Sequence, residues 1–393
     1  MRTIPTGSLS PSSPGAAEVP TRLIPVYRPL LGEQEARTVN EALRQGAISG
    51  FFGEHLGRFE RGFAEYCGCR HGIATTSGTT ALHLAMATLS IGPGDEVLVS
   101  TLTNMATFFA VLYQGAKPVP IDIDEDTWNL DPELLEARIT PRSRAILVVH
   151  LFGHPVDMGP VLEIARRHRL YVVEDCAEAH GATYQGKKVG GLGDIGCFSF
   201  YANKIITTGE GGMLTLNDAG LADKARSLKS LAFGSERKFM HTAIGYNYRM
   251  TNLQAALGCA QLERIEAIIE RKRALARFYT SRFCDLASLQ LPVEKPYARN
   301  VYWMYHVAVR DAAGGKRDAV MRALAERGIE TREGFIPANM QQIFQGQGWT
   351  RADDCPKAND AGARSFYLPS GPSLSEEELE FIAASVREVL ESL

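Results

Sequence analysis

A lysine set between an apolar strand and a glycine-rich turn carries the clearest chemical signal in this chain. Lys204 stands in the run SFYANKIITTGEGG, downstream of the acidic stretch EDCAEAHGA. A lysine amine taken out of water gives up its proton more readily and becomes a nucleophile toward an aldehyde. Pyridoxal phosphate is the cofactor whose demands this group of residues meets. It needs a lysine for a Schiff base, a carboxylate that keeps the pyridine nitrogen protonated, and hydroxyls with backbone amides around the phosphate. Lys204, Asp175 and Ser199 can supply these roles in turn.

Regular elements must bring those side chains to one place. Leu170–Val173 has the length and β-branched content of a buried parallel strand, so Asp175 emerges at its carboxyl end, where open α/β sheets hold ligands. Gly196–Phe200 reads as a second short strand leading through Ser199 to Lys204, and Gly209, Gly211 and Gly212 then turn the chain back. Ser77 and Gly78 open a helix predicted over Thr79–Leu89, whose first amides are free to meet an anion. Further strands are predicted at Glu96–Ser100, Lys117–Ile121 and Ala145–His150, alternating with helices. That alternation predicts an α/β fold, a mainly parallel sheet covered on both faces. Helices are also predicted over Glu33–Gln45, Gly57–Tyr66 and Leu253–Glu270. Beyond them, the apolar run Tyr302–Val309 and the helices Lys316–Arg327 and Ser375–Ser392 read as a smaller C-terminal α+β domain. The expected division is a mobile tail over 1–24, rich in proline and glycine, a large domain over 25–262 and a small one over 263–393.

Each site residue has a plainer reading. Lys204 could be a solvated charge, Asp175 a helix cap, and Ser199 an ordinary strand hydroxyl. Gly78 and Thr79 could form only a strand-to-helix turn, Asn247 could be a turn residue, and His180 could be a packed histidine. What raises the first three is their common register on two strand ends and one loop.

Composition narrows the class. The chain has 393 residues, a net charge of −3 and a pI near 6.3, which leaves no electrostatic footprint for nucleic acid or an anionic membrane. No apolar run spans a bilayer and no cationic start precedes an apolar stretch, so a cytoplasmic enzyme is expected. Seven cysteines make no disulfide framework in a chain of this size. Cys67 and Cys69 lack a second ligand pair at zinc spacing, and Cys176 and Cys197 read as packing, so no metal is expected.

Five motifs in order carry a resemblance to a known family: TSGTTALHLAM at 76–86, VHLFGHPVDM at 149–158, VVEDCAEAHGATYQGKKVGGLGDIGCFSFYANK at 172–204, TTGEGGM at 207–213 and GYNYRMTNLQAALG at 245–258. From about Ile24 to its C-terminus the chain resembles the DegT/DnrJ/EryC1/StrS sugar aminotransferases. The resemblance implies the fold-type I architecture of pyridoxal phosphate enzymes, with a sheet of the seven-stranded type. It also implies L-glutamate as amine donor, a nucleotide-linked keto sugar as acceptor, and a homodimer in which the segment around Asn247 reaches the partner's phosphate. Within the family, ANKIITTGEGG followed by IGYNYRMTN looks most like the perosamine synthase branch, which aminates C4 of a nucleotide-linked 4-keto-6-deoxyhexose. The alternatives are a 3-aminotransferase of the same family and a non-catalytic cofactor-binding sensor or scaffold; dehydratase relatives carry histidine in place of the lysine. Cofactor contacts are expected from Gly78, Thr79, Asn104, Glu178 and Asn247 beside Lys204, Asp175 and Ser199, and substrate contacts from His180, Tyr201, Arg249 and Asn339. Two positions depart from the family pattern. Asn104, in TNMATFF, stands where many relatives carry an aromatic that stacks on the pyridine ring, and TREGFIPANM puts Glu333 and Asn339 at the proline and histidine of TRPxxxPxH. Sugar recognition is therefore expected to differ.

Overall fold

A computed structural model describes residues 23–234, 237, 239–241, 243–310 and 315–393, so residues 1–22 of the expected tail lie outside the described residues. The strands of the first half are β1 (His71–Thr75), β2 (Glu96–Ser100), β3 (Lys117–Ile121), β4 (Ser143–Val149), β5 (Tyr171–Asp175), the short pair β6 (Thr183–Tyr184) and β7 (Lys187–Lys188), β8 (Ile195–Ser199) and β9 (Gly212–Leu216). Seven of them form one sheet in the order β1-β9-β8-β5-β4-β2-β3. β9 runs antiparallel to both its neighbours, and the other pairs are parallel.

Parallel strands covered on both faces must be apolar throughout, which is why EVLVS and SRAILVV read so plainly as strands. Side chains alternate between two cores. Val97, Leu147, Val173 and Leu214 face the helices α3 (Gly78–Thr88), α4 (Ala106–Tyr113) and α6 (Ala219–Lys229). Leu98, Ile146, Val148 and Val172 face α5 (Met158–His168), and Phe198 and Met213 face α2 (His55–Tyr66) and α7 (Asn252–Leu262). Helix α1 (Glu33–Arg44) packs outside α7. β1 and β9 had no strand prediction: HGIAT and GMLTL are short, and each carries a glycine. Gly72 is there for close approach, since a Cβ would lie 2.2 Å from the Glu60 carbonyl oxygen.

The single helix predicted over Leu253–Glu270 is two helices. α7 ends at Leu262, and α8 (Ile265–Phe283) starts after Glu263 and Arg264 and continues well past the predicted end. No proline or glycine marks the break. α7 is held by α1 and α2, whereas α8 must serve two cores, with Ile265, Ile268 and Ile269 in the large one and Leu275, Tyr279 and Phe283 in the small one.

The second half supplies β10 (Leu289–Gln290), β11 (Ala298–Arg299), β12 (Tyr305–Val309), β13 (Arg332–Glu333) and β14 (Ser365–Leu368). Four of these form an antiparallel sheet in the order β10-β12-β14-β13, while β11 joins the β6–β7 hairpin. The helices are α9 (Lys316–Glu326), α10 (Gln342–Gly346), α11 (Pro356–Arg364) and α12 (Glu376–Ser392). α9 and α12 close the small core with the second half of α8. Residues Ile24–Val26 belong by contact to this smaller unit: Ile24 bridges Ile329, and the Ser370 amide donates to the Val26 carbonyl at 2.9 Å. Among the described residues no helix is long and apolar enough to cross a membrane.

Candidate active site

A cavity of about 310 Å³ opens at the carboxyl ends of β4, β5 and β8, between the two sheets. β5 ends on Asp175, which points to the α3/α4 side because it shares the parity of Val173. Its Oδ2 accepts from Thr107 Oγ1 at 2.9 Å and its Oδ1 from the Ala177 amide at 3.1 Å. Burial raises its pKa, opposed by those two donors and by the charge of Lys204. Glu174, one residue earlier, faces the opposite side. It accepts from the amides of Gly190, Leu192 and Gly193 and pairs with His150 Nε2 at 3.1 Å, so it holds a loop rather than serving the cavity.

Lys204 follows β8 in a tight turn closed by its own amide on the Tyr201 carbonyl at 2.9 Å. Burial pulls its pKa down, and the nearby carboxyls of Glu178 and Asp175 oppose that pull. Glu178 lies beside it in the cavity wall, where its Oε2 accepts from the Phe152 amide at 2.8 Å. Burial pushes its carboxyl up to about 7.

The far end of the cavity is the start of α3. Ser77 caps the helix, with its Oγ accepting from the Thr80 amide at 3.2 Å and its own amide donating to Thr80 Oγ1 at 3.0 Å. A Cβ on Gly78 would lie 2.7 Å from Cβ of Ser199, so only glycine lets this helix start press against β8. The amides of Gly78 and Thr79, which have no partner within the helix, therefore meet the Ser199 hydroxyl in one concave corner. A buried carboxylate, an amine with a lowered pKa and an anion cradle share one space of suitable size. The donor set fits pyridoxal phosphate.

The cavity brings together Lys204, Asp175, Ser199, Gly78, Thr79, Asn104, Glu178 and Tyr201. Asn104 uses its Oδ1 to accept from the Ala106 amide at 3.0 Å in the turn that leads into α4, and Tyr201 is 47% exposed at the mouth. Four expected residues do not line it. His180 is packed among Phe63, Phe198 and Phe200, and burial pushes its pKa down to about 3. Asn339 is fully buried, bonded to Thr101, Ala352 and Asn359, and ties its own segment to the end of β2. Asn247 bridges Ser230, and Arg249 lies over the Phe51 ring at 5.0 Å.

Sequence reasoning missed Thr107, Trp303 and Tyr27. Trp303 places its ring 3.9 Å from Lys204 Nζ, and Tyr27 donates from its hydroxyl to the Lys204 carbonyl at 2.7 Å. Only Thr107 had a local clue, since it lies in the same TNMATFF segment as Asn104.

Comparison with known proteins agrees with this geometry. The chain is 44% identical over 371 residues to the GDP-perosamine synthase of Caulobacter vibrioides, covering 93% of this chain and 98% of that protein. It is 42% identical over 367 residues to the GDP-perosamine synthase of Escherichia coli O157:H7, with the same coverage of both. The putative sugar aminotransferase Spr1654 of Streptococcus pneumoniae, solved in its PMP form, superposes with a TM-score of 0.90 at 27% identity, covering 94% of this chain and 98% of that one. Residues 29–387 match the profile of one family, and with it the cofactor, pyridoxal phosphate: this chain belongs to the DegT/DnrJ/EryC1/StrS aminotransferases.

Proposed function

We propose that this chain is a cytoplasmic, homodimeric aminotransferase that moves an amino group from L-glutamate to C4 of a nucleotide-linked 4-keto-6-deoxyhexose. The observation that carries the reading is the meeting of Lys204, Asp175 and Ser199 at one cavity, in a chain so similar to two GDP-perosamine synthases. When bound, pyridoxal phosphate supplies an aldehyde that exchanges amines and a ring that takes up the electron pair of the carbon being deprotonated.

The protein's part is to hold, orient and move protons. Ser199 Oγ and the amides of Gly78 and Thr79 hold the phosphate, where the positive end of α3 favours its charge. Asp175, oriented by Thr107 and Ala177, keeps the proton on the pyridine nitrogen. Lys204 Nζ takes a proton from the substrate carbon and returns one in the other half reaction, a task suited to an amine whose pKa is lowered by burial. Glu178, titrating near neutrality beside that amine, can hold or release a proton as charge in the cavity changes. Trp303, Phe335 and Tyr367 close the cavity from the small-sheet side and keep water from Nζ. Tyr201 stands at the mouth, where the sugar enters.

The test is to incubate the purified protein with glutamate and a panel of nucleotide-linked 3-keto and 4-keto hexoses and to locate the new nitrogen by NMR. Nitrogen at C4 of a 6-deoxy sugar is the expected result. Nitrogen at C3 would replace this reading with a 3-aminotransferase, and no transfer to any sugar would sink both.

A further inference from the structure

Trp303 meets the lysine loop at two points. Its Nε1–H donates to the Asn203 carbonyl at 2.7 Å, and the face of its ring lies 3.9 Å from Lys204 Nζ. The ring is 3% exposed and lies nearly parallel to Phe152, 11° apart with centroids at 6.3 Å, so it cannot swing away without repacking its neighbours. One residue along, the Tyr27 hydroxyl holds the Lys204 carbonyl. Two successive carbonyls of the loop are thus pinned by aromatic donors that lie outside the central sheet.

We propose that Trp303 is a positioning residue that seats the Lys204 amine. Its ring face holds Nζ in place and stabilises the ammonium formed each time that nitrogen takes up a proton, and its N–H keeps the loop where the same nitrogen can be used again. The inference rests on the aminotransferase reading, in which Lys204 is released in one half reaction and recaptured in the other. Among the described residues Lys204 forms no ion pair. Asp175 at the end of β5 and Glu178 in the loop after it attract the amine through the cavity, while His180 behind that loop is neutral. Tyr201 and Glu210 from the lysine's own loop, Tyr367 from β14 and Tyr27, whose hydroxyl stays protonated on the lysine carbonyl, are the other titratable groups around it. Burial removes water from the ammonium, and the ring quadrupole returns part of that lost solvation without supplying a base that would take the proton.

The test is competitive acylation of the full-length, cofactor-free protein with acetic anhydride across pH, with Lys204 followed by peptide mass spectrometry. Trp303→Phe keeps a ring face and should leave the titration midpoint of Lys204 within a few tenths of a pH unit. Trp303→Leu removes the face and should lower the midpoint by about one pH unit, a tenfold weaker hold on the proton. Global replacement by fluorinated tryptophans, which keeps shape and N–H while weakening the ring face, should lower it stepwise and covers the case in which the leucine variant does not fold. A midpoint that stays or rises in the leucine or fluorinated proteins overturns the seat. The N–H is tested by the rate at which added pyridoxal phosphate becomes borohydride-fixable on Lys204. That rate should fall severalfold in Trp303→Phe, and an unchanged rate overturns the latch. No sugar or glutamate enters either measurement, so failure here is distinct from failure of the transfer assay.

Discussion

Lys204, Asp175 and Glu178 occupy one cavity, and burial displaces all three from their ordinary titration. The amine is pushed toward its neutral form and the carboxyls toward theirs, while each opposite charge pulls back. That balance suits a site that takes in a charged cofactor. Lys204→Ala should still bind pyridoxal phosphate through the corner formed by Ser199 and α3, yet lose turnover by roughly 10³-fold or more, because the proton-moving amine is gone. Borohydride fixation followed by peptide mapping should label Lys204 in the wild type and nothing in the variant; label on another lysine would remove the assignment. Asp175→Asn keeps the size of the side chain and loses its charge. A unit charge at about 4 Å is worth about 4 kcal/mol at an effective dielectric of 20, so transamination should fall on the order of 10³-fold with circular dichroism unchanged. Near-full activity in that variant would give the carboxylate another role.

Helix α3 and strand β8 press together beside the cavity. Their contact is set by Gly78 and Ser199, and the same contact forms the anion corner. The backbone of Gly78 needs no left-handed conformation, so close approach alone demands glycine there. Gly78→Ala should therefore push the helix start away from β8, with an overpacking cost of about 1–3 kcal/mol. Because the displaced amides are the ones proposed to meet the phosphate, affinity should suffer beyond that cost. Thermal melts with and without added pyridoxal phosphate separate the two effects. The wild type should gain stability from the cofactor, and the variant should gain much less. An equal gain in both proteins would show that the phosphate lies elsewhere.

Across the whole molecule, two sheets, the shared helix α8 and the segment Ile24–Val26 hold the cavity walls in register. Packing on this scale buries histidines that have no charge to lose. Burial lowers His154 to about 4, and His180 and His306 to about 3. The unfolded chain takes up protons at these rings near pH 6.5 and the folded chain does not, so stability is full above that value and is lost as pH falls toward 4. Glu178, raised to about 7, works the other way, gaining stability for the fold as pH falls through that value, as do Asp175 and Asp194, whose carboxyls burial also raises. His83, lowered by burial, and the carboxylates Glu96 and Glu174, held below their ordinary range by hydrogen bonds and nearby cations, act with the three histidines. Urea midpoints should fall between pH 7 and 4.5, and His180→Phe, which suits its aromatic surroundings, should flatten the slope. A midpoint that rises on acidification would contradict the assignment. The proposed dimer is tested at the same scale. In one chain Asn247 does not line the cavity, consistent with a reach into the partner's site. Mixing inactive Lys204→Ala with an inactive Asn247 variant should restore activity once subunit exchange is verified by mass, since one site in each mixed dimer receives both intact residues. Verified mixed dimers without activity would end the shared-site proposal.

Strands β2, β3, β4, β5 and β8 are legible in the sequence, most plainly where a strand buried on both faces must be an unbroken apolar run. Lys204, Asp175 and Ser199 are legible as a set because one cofactor's chemistry demands those types at strand ends and in a glycine-rich loop. Tertiary structure alone decided which polar residues reach the cavity. His180 and Asn339 turn into the core while Glu178 turns toward Lys204, because the path of each loop chooses the face and local composition carries no record of that choice. Trp303 and Tyr27 come from positions far from Lys204 in the chain, and an indole or a phenol shows no local pattern that names its partner. Their contact with the lysine loop exists only once the two sheets have packed, since it is made across the gap between them.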